Sequence, residues 1–532
     1  MKTKFYFGAF AALALGFASC SSDEPINGPV DPDGPTVGES YMAVRITNIG
    51  SSGRALPGDN EFEGPAGDES KIEVENIRFY FFTESGQPFL MVNNGVNGEV
   101  SNTNMVKPAE IRTENTNGKD DNTIEGLLVL GTPAAGYLGN EPAKMFCIVN
   151  PIGHDFEYYA EKSLEELKNE KVTYDIDKDA FSKFVMTNST YAKDGKEIYY
   201  TNVTGCMNTD PEEAKKNPVR IYLERLAAKV RVNGLGTKEV REKGTDTNPV
   251  KKYSIHGIDG DVELDVELVG WELINQAKRT HAIKRITDCL TTAPFPDWND
   301  YERHRSYWAI TAAIDDDDFY KNAFNIKTDA FALKNYNSSE PTKNIAYCYG
   351  NTHFAEEVES ANDRTTNATA IVVKGIVKQH SNVTPNPNAA LDFVCWAGDY
   401  FTTAAFKQHV IDLWNKEHNA SLTADKVTFI NTEASLKPNT WMVNVNGTNW
   451  VRFKDIMWWE DGVTSYYLNI KHYDKKFGVV RNHIYDYTLT DVIGLGVPGS
   501  EPENPEETTP SYLAAVVNCL NWRVVSNTTV LE

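Results

Sequence analysis

Alternation of apolar and polar residues dominates this chain, and it predicts strands. In residues 41–47, Met42, Val44 and Ile46 share one face while Arg45 and Thr47 take the other, the period-two signature of a half-buried strand. Residues 72–82 continue the pattern and end in a turn at 84–88 that contains Gly86 and Pro88. Residues 91–122, rich in Asn and Gly, read as a long surface loop. Apolar runs at 127–130 and 145–149 are further strand candidates, the second broken off by Pro151 and Gly153. A long alternating strand is expected over 219–232, with a domain boundary just before it near Pro218. Aromatic strand candidates fill the last third at 441–445, 465–470 and 483–489.

Helix signals are few. Ser163 and Glu166 form a capping box for a short helix, and Phe406, Val410, Leu413 and Trp414 give residues 403–418 the spacing of an amphipathic one. After a Pro- and Glu-rich spacer at 498–510, the tail over 512–532 is strand-forming. Trp522, Val524, Ser526, Thr528 and Val530 fall on one face of it, and Arg523, Val525, Asn527, Thr529 and Leu531 on the other. A detached amphipathic strand of this kind presents an edge that invites pairing with another chain.

The N-terminal residues have a different logic. Lys2 and Lys4 precede an apolar run at 5–17, and Ala18, Ser19 and Cys20 follow, which reads as a bacterial secretory signal with a lipobox. Cys20 is the expected lipid attachment site and mature N-terminus. The apolar run is shorter than the ~20 residues that a membrane helix needs. No other uncharged stretch approaches that length, so the mature protein is expected to be soluble apart from its lipid. Residues 25–38, punctuated by Pro and Gly, read as a flexible tether. Behind the first strand, Ser51, Ser52 and Gly53 leave Arg54 open to a trypsin-like cut before Ala55. The chain is thus expected to be anchored, then released with loss of its first strand.

Composition narrows the function classes. The 532 residues are 41% hydrophobic, enough for sizeable cores, and the net charge of −23 argues against nucleic acid or anionic membranes as partners. Six cysteines remain besides Cys20: Cys147, Cys206, Cys289, Cys348, Cys395 and Cys519. They permit more than a dozen pairings, among which spacing does not choose. Several lie in apolar strand contexts, where a buried free thiol is the commoner outcome. The ten histidines are dispersed, without metal-binding spacing. The run Asp315 to Asp318 carries oxygen ligands suited to Ca²⁺ but lacks the spaced ligands and glycine of an EF-hand loop, so a solvated loop is favoured. No nucleophile elbow, phosphate loop or dinucleotide fingerprint occurs. The sequence therefore predicts no catalytic residue, no metal and no cofactor. Trp458 with Trp459, and Tyr466 with Tyr467, suit either a sugar-stacking platform or core packing, core packing being the commoner role.

Several motifs resemble those of one family. Arg225, Ala228, Lys229 and Val230 resemble the R-x-x-A-K-V strand of the Bacteroidales fimbrillins, the type V pilins. Residues 145–151 resemble their strand ending in Asn-Pro. Gly-Val-Val-Arg-Asn-His at 478–483, the stretch from Ile493 to Pro498 and the tail at 521–531 resemble the major subunit of short fimbriae. Ser21, Ser22, Asp23 and Glu24 also resemble the signal that sends Bacteroidetes lipoproteins to the cell surface, although Phe17 stands where the lipobox usually has Leu.

The resemblance implies a mostly β fold of two transthyretin-like β-sandwich domains with a few short helices. The implied divisions are a signal peptide at 1–20, a tether and removable strand at 21–54, domains at 55–218 and 219–510, and a donor strand at 511–532. It implies a non-enzymatic pilus stalk subunit. The chain would reach the outer-membrane surface as a lipoprotein and end in an extracellular fimbrium that supports adhesion. An arginine-specific or trypsin-like surface protease would cut between Arg54 and Ala55. The strand carrying Met42, Val44 and Ile46 would leave, and the tail of another copy would fill its groove. Further implied partners are accessory anchor and tip pilins, with receptors on host or bacterial surfaces beyond them. About five inserted side chains at ~1.5–3 kcal/mol each give roughly 8–15 kcal/mol of gross burial before ordering costs. Such a head-to-tail contact does not close, so it propagates as a fibre. The main alternative is a glycan-binding lipoprotein that stays anchored through Cys20 and does not polymerise; a surface hydrolase would need an acid pair in a cleft.

Overall fold

The computed structural model describes residues 40–48, 74, 76–94, 100–108, 110–115, 122–151, 156–173, 184–242, 252–286, 299–302, 304–312, 334–335, 344–352, 368–380, 390–431, 440–450, 453, 456–473, 476–498, 512–518 and 527–529. These residues form a mostly β structure. Cys20, Arg54, Ala55 and Asp315 to Asp318 lie outside them.

The strands of the first part, in chain order, are β1 (Ser40–Asn48), β2 (Ile77–Phe82), β3 (Met91–Asn94), β4 (Val100–Thr103), β5 (Met105–Val106), β6 (Glu110–Asn115), β7 (Asn122–Leu130), β8 (Lys144–Val149), β9 (Met186–Asn188) and β10 (Val219–Arg225). One sheet runs in the spatial order β5-β2-β8-β9-β10-β1-β7-β6, while β3 and β4 make a separate hairpin. Residues 91–122 are therefore not one long loop. Their Asn- and Gly-rich sequence conceals that hairpin and β6, which ends the sheet order, and a terminal strand needs no apolar stripe.

The run at 219–232 is two strands rather than one. β10 ends at Arg225, and β11 (Ala227–Asn233) belongs to a second assembly. The chain passes from one to the other at Leu226, whose N–H donates to the Val185 carbonyl (3.0 Å). Alternation continues through the join because both strands are buried, so period alone does not register the change of partner.

The second assembly adds β12 (Gly236–Arg241), β13 (Asp261–Ile274), β14 (Ile345–Tyr349), β15 (Ala370–Gln379), β16 (Val463–Asn469), β17 (Ile484–Ile493), β18 (Tyr512–Asn518) and β19 (Asn527–Thr529). β11 lies between β14, antiparallel, and β17, parallel. β13, β15 and β16 pair antiparallel in succession. Between β15 and β16 the chain makes an excursion of short strands and one helix, then returns to pair directly with the strand it left.

Among the described residues the α-helices are α1 (Leu164–Asn169), α2 (Pro211–Lys216) and α3 (Thr403–His418). The capping box of α1 forms as expected: Ser163 N–H donates to Glu166 Oε2 (2.7 Å) and Glu166 N–H to Ser163 Oγ (3.2 Å). α3 buries Phe406, Val410 and Ile411. α2, capped by Asp210 with Pro211 at its first turn, is shorter than the periodicity search detects. Among the described residues no helix is long and apolar enough to cross a membrane. Cys147, Cys206 and Cys395 are free thiols, the first and third buried, and Cys348 is buried as well; Cys289 and Cys519 lie outside the described residues.

Candidate functional site

The strand singled out at the N-terminus occupies the middle of a sheet. β1 pairs parallel with β10, from Val44 opposite Val219 to Asn48 opposite Leu223, and antiparallel with β7, from Ser40 opposite Leu130 to Thr47 opposite Thr123. Both of its backbone edges are therefore used. Met42 and Val44 are fully buried in the core of this sheet, with Phe79, Met145, Val219, Ile221 and Leu128 in the same cluster. Burying these two side chains contributes about 3–6 kcal/mol. Arg45, on the opposite face, is half-exposed, and its Nε donates to Glu125 Oε1 on β7 (2.7 Å). The backbone of Ile46 lies in the ladder opposite Ile221 and Ile124.

α2 backs the same strand. Ala43 packs with Leu127 and fully buried Ala214, and Tyr41 and Asn208 exchange backbone hydrogen bonds of 2.6 and 2.9 Å. Sequence reasoning missed this backing. The Asp210–Pro211 start signal was available, but nothing in it points to β1.

Without β1, β10 and β7 each lose a complete edge of partners inside the sheet. Unpaired buried backbone groups are costly. The place of β1 is lined by apolar side chains on one side and by α2 on the other.

The tail strands belong to the second assembly. β18 pairs antiparallel with β17, from Tyr512 opposite Ile493 to Asn518 opposite Asp486, and β19 pairs only with β18 among the described residues. Thr528 of the expected donor face lies in β19; Trp522, Val524, Ser526 and Val530 lie outside the described residues. Among the described residues, the tail strands pair with β17 and with each other, and not with β1.

Two of the resembling motifs meet at a buried joint. Glu224 on β10 accepts from Arg481 Nε (2.8 Å) and Lys284 Nζ (2.9 Å), all three side chains being almost fully buried. Asn482 N–H donates to the Ala227 carbonyl (2.8 Å) and Lys229 N–H to the His483 carbonyl (2.9 Å). Burial draws Arg225 down to about 10 and Lys284 down to about 8, the latter opposed by Glu224. Burial, reinforced by His472 and Arg305, holds His483 well below the ordinary histidine range. Alternation placed Glu224 as an ordinary strand residue, with no sign of partners so remote in sequence.

The aromatic pairs do not form a platform. Trp459 is buried and stacks on Phe393 at 4.7 Å, whereas Trp458 packs edge-on to Phe429 at 4.8 Å and against Trp441 at 4.6 Å. Tyr466 is buried in the main core, and Tyr467 packs in a separate cluster. Consecutive strand residues point to opposite faces, so neither pair presents two rings to one ligand.

No family model and no curated protein matches the chain. It is similar to a solved structure from Parabacteroides distasonis described as a cell adhesion protein, at 12% identity and a TM-score of 0.39, covering 91% of this chain and 98% of that one. A Bacteroides eggerthii structure with the same description matches at 12% identity and a TM-score of 0.34, covering 92% and 98%. The tip fimbrial protein of Porphyromonas gingivalis, with a C-terminal truncation, matches at 10% identity and a TM-score of 0.31, covering 91% and 100%.

Proposed function

We propose that this chain is a structural subunit of a surface fimbria that polymerises by exchange of strands, with no enzymatic role. The observation that carries this reading is the place of β1. A strand that completes the middle of a sheet lies on the N-terminal side of Arg54, which the sequence offers as a trypsin-like cut site, so one cut there would make it separable from everything it supports.

In this reading the chain is lipidated at Cys20 and carried to the outer-membrane surface, where β1 keeps the precursor folded and unable to assemble. Cleavage before Ala55 by an arginine-specific or trypsin-like protease frees residues 40–48 to be displaced. The tail of a second copy then enters the slot, giving backbone hydrogen bonds to β10 and β7 and apolar side chains to the space of Met42 and Val44. β19, with its single neighbour among the described residues, is the first part of the tail to detach. Anchor and tip pilins terminate the filament, which supports adhesion.

The test is Arg54→Ala in cells that carry the native assembly system. The expected product is an intact, lipidated monomer without filaments. Filaments built from chains that retain residues 40–48 would overturn the reading.

A further inference from the structure

A small cavity lies at the buried joint, and among the described residues the charges around it are unbalanced. Its lining includes His281, Lys284, Thr311, Gly350, Val479 and Arg481, and it has room for about one water-sized particle, ≈ 20 Å³. Lys284 and Arg481, two cations, both rest on the one carboxylate of Glu224. Lys284 Nζ also donates to the Ser306 carbonyl (2.6 Å), which among the described residues leaves the ammonium a third proton. Arg481 donates from Nε to Glu224 and from Nη1 to the His281 carbonyl (2.8 Å), while Nη2 lies 2.7 Å from the same carboxylate oxygen without hydrogen-bond geometry, so among the described residues both terminal nitrogens keep an N–H for another acceptor. The His281 ring is 4% exposed, and neither nitrogen makes a hydrogen bond of ordinary geometry among the described residues.

We propose that this cavity binds a small inorganic anion of halide size, chloride under ordinary conditions, held by Lys284, Arg481 and His281. A buried cation left without counter-charge is costly, whereas an anion beside both cations restores balance. A water of the same size would satisfy donors but not charge. The surrounding field agrees: burial first, then Arg285, Arg481 and Lys171, holds His281 down to about 3, with the Thr311 backbone opposing. The site joins β10, the segment around His281 and the turn before β17, so the anion would act as a pin between the two sheet assemblies.

Two measurements on the full chain test this. Crystals soaked in sodium bromide should show an anomalous peak within hydrogen-bond distance of Lys284 Nζ and Arg481. Thermal unfolding at fixed ionic strength should give a Tm about 3 °C higher in sodium chloride than in sodium gluconate, rising with chloride concentration. Lys284→Gln, where it folds, should abolish that difference. A bromide peak without any chloride dependence of Tm would mean an adventitious ion only. No peak, with equal Tm in both salts, would mean that water fills the cavity; either result overturns the proposal.

Discussion

Glu224 shows how much of the joint depends on single atoms. Replacing it by Gln leaves Lys284 and Arg481 buried against a neutral amide, and removing one partner of a buried ion pair typically costs about 3–5 kcal/mol. Glu224→Gln should therefore lower the urea midpoint clearly, and an unchanged midpoint would contradict the burial described for the pair. Histidine titration gives a second expectation. The folded-state pKa values of His281 and His483 lie below the unfolded value near 6.5, so below that pH the unfolded chain binds protons that the folded chain refuses. Stability is intact above about pH 6.5 and falls as pH drops toward 3, by up to about 1.4 kcal/mol per unit for each histidine. Denaturation midpoints between pH 7 and pH 4 measure this; a flat profile would contradict it. None of this was legible in sequence. Glu224 and Arg481 stand 257 residues apart, and no local period links them.

At the scale of elements, β1 was legible and its surroundings were not. Met42 and Val44 share one face, with Arg45 on the other, and the structure buries both. The same pattern fits an edge strand equally well, so only the topology reveals the central position. The Asn-rich sequence of β3, β4 and β6 misread as loop for a related reason: a strand at the end of a sheet carries little apolar signature. The central position leads to a mechanical expectation. A chain expressed from Ala55 should fail to remain a stable soluble monomer, because β7 and β10 face each other across an unfilled slot. Added peptide of residues 40–48 should restore the monomer, as read by size-exclusion chromatography. A soluble monomer that unfolds at the same temperature as the precursor, without peptide, would show that β1 is dispensable.

Across the whole molecule, two sheet assemblies meet through polar and apolar contacts alike. Ile345, Tyr347 and Ile484 from the second assembly join the core cluster that contains Met42 and Val44, so the two assemblies share that core. The mostly β character was plain from the sequence because alternating runs recur along its length. The passage at Leu226 was hidden because burial on both sides of it preserves the same alternation. In the proposed filament each subunit supplies a tail to one neighbour and a slot to the other, so the N-terminus of assembled protein reports the central event directly. The measurement is N-terminal sequencing and intact mass of protein sheared from intact cells, beside an unboiled gel. A start at Ala55 with a detergent-resistant ladder is the predicted result. A lipidated N-terminus at Cys20 with a single monomer band would contradict the account.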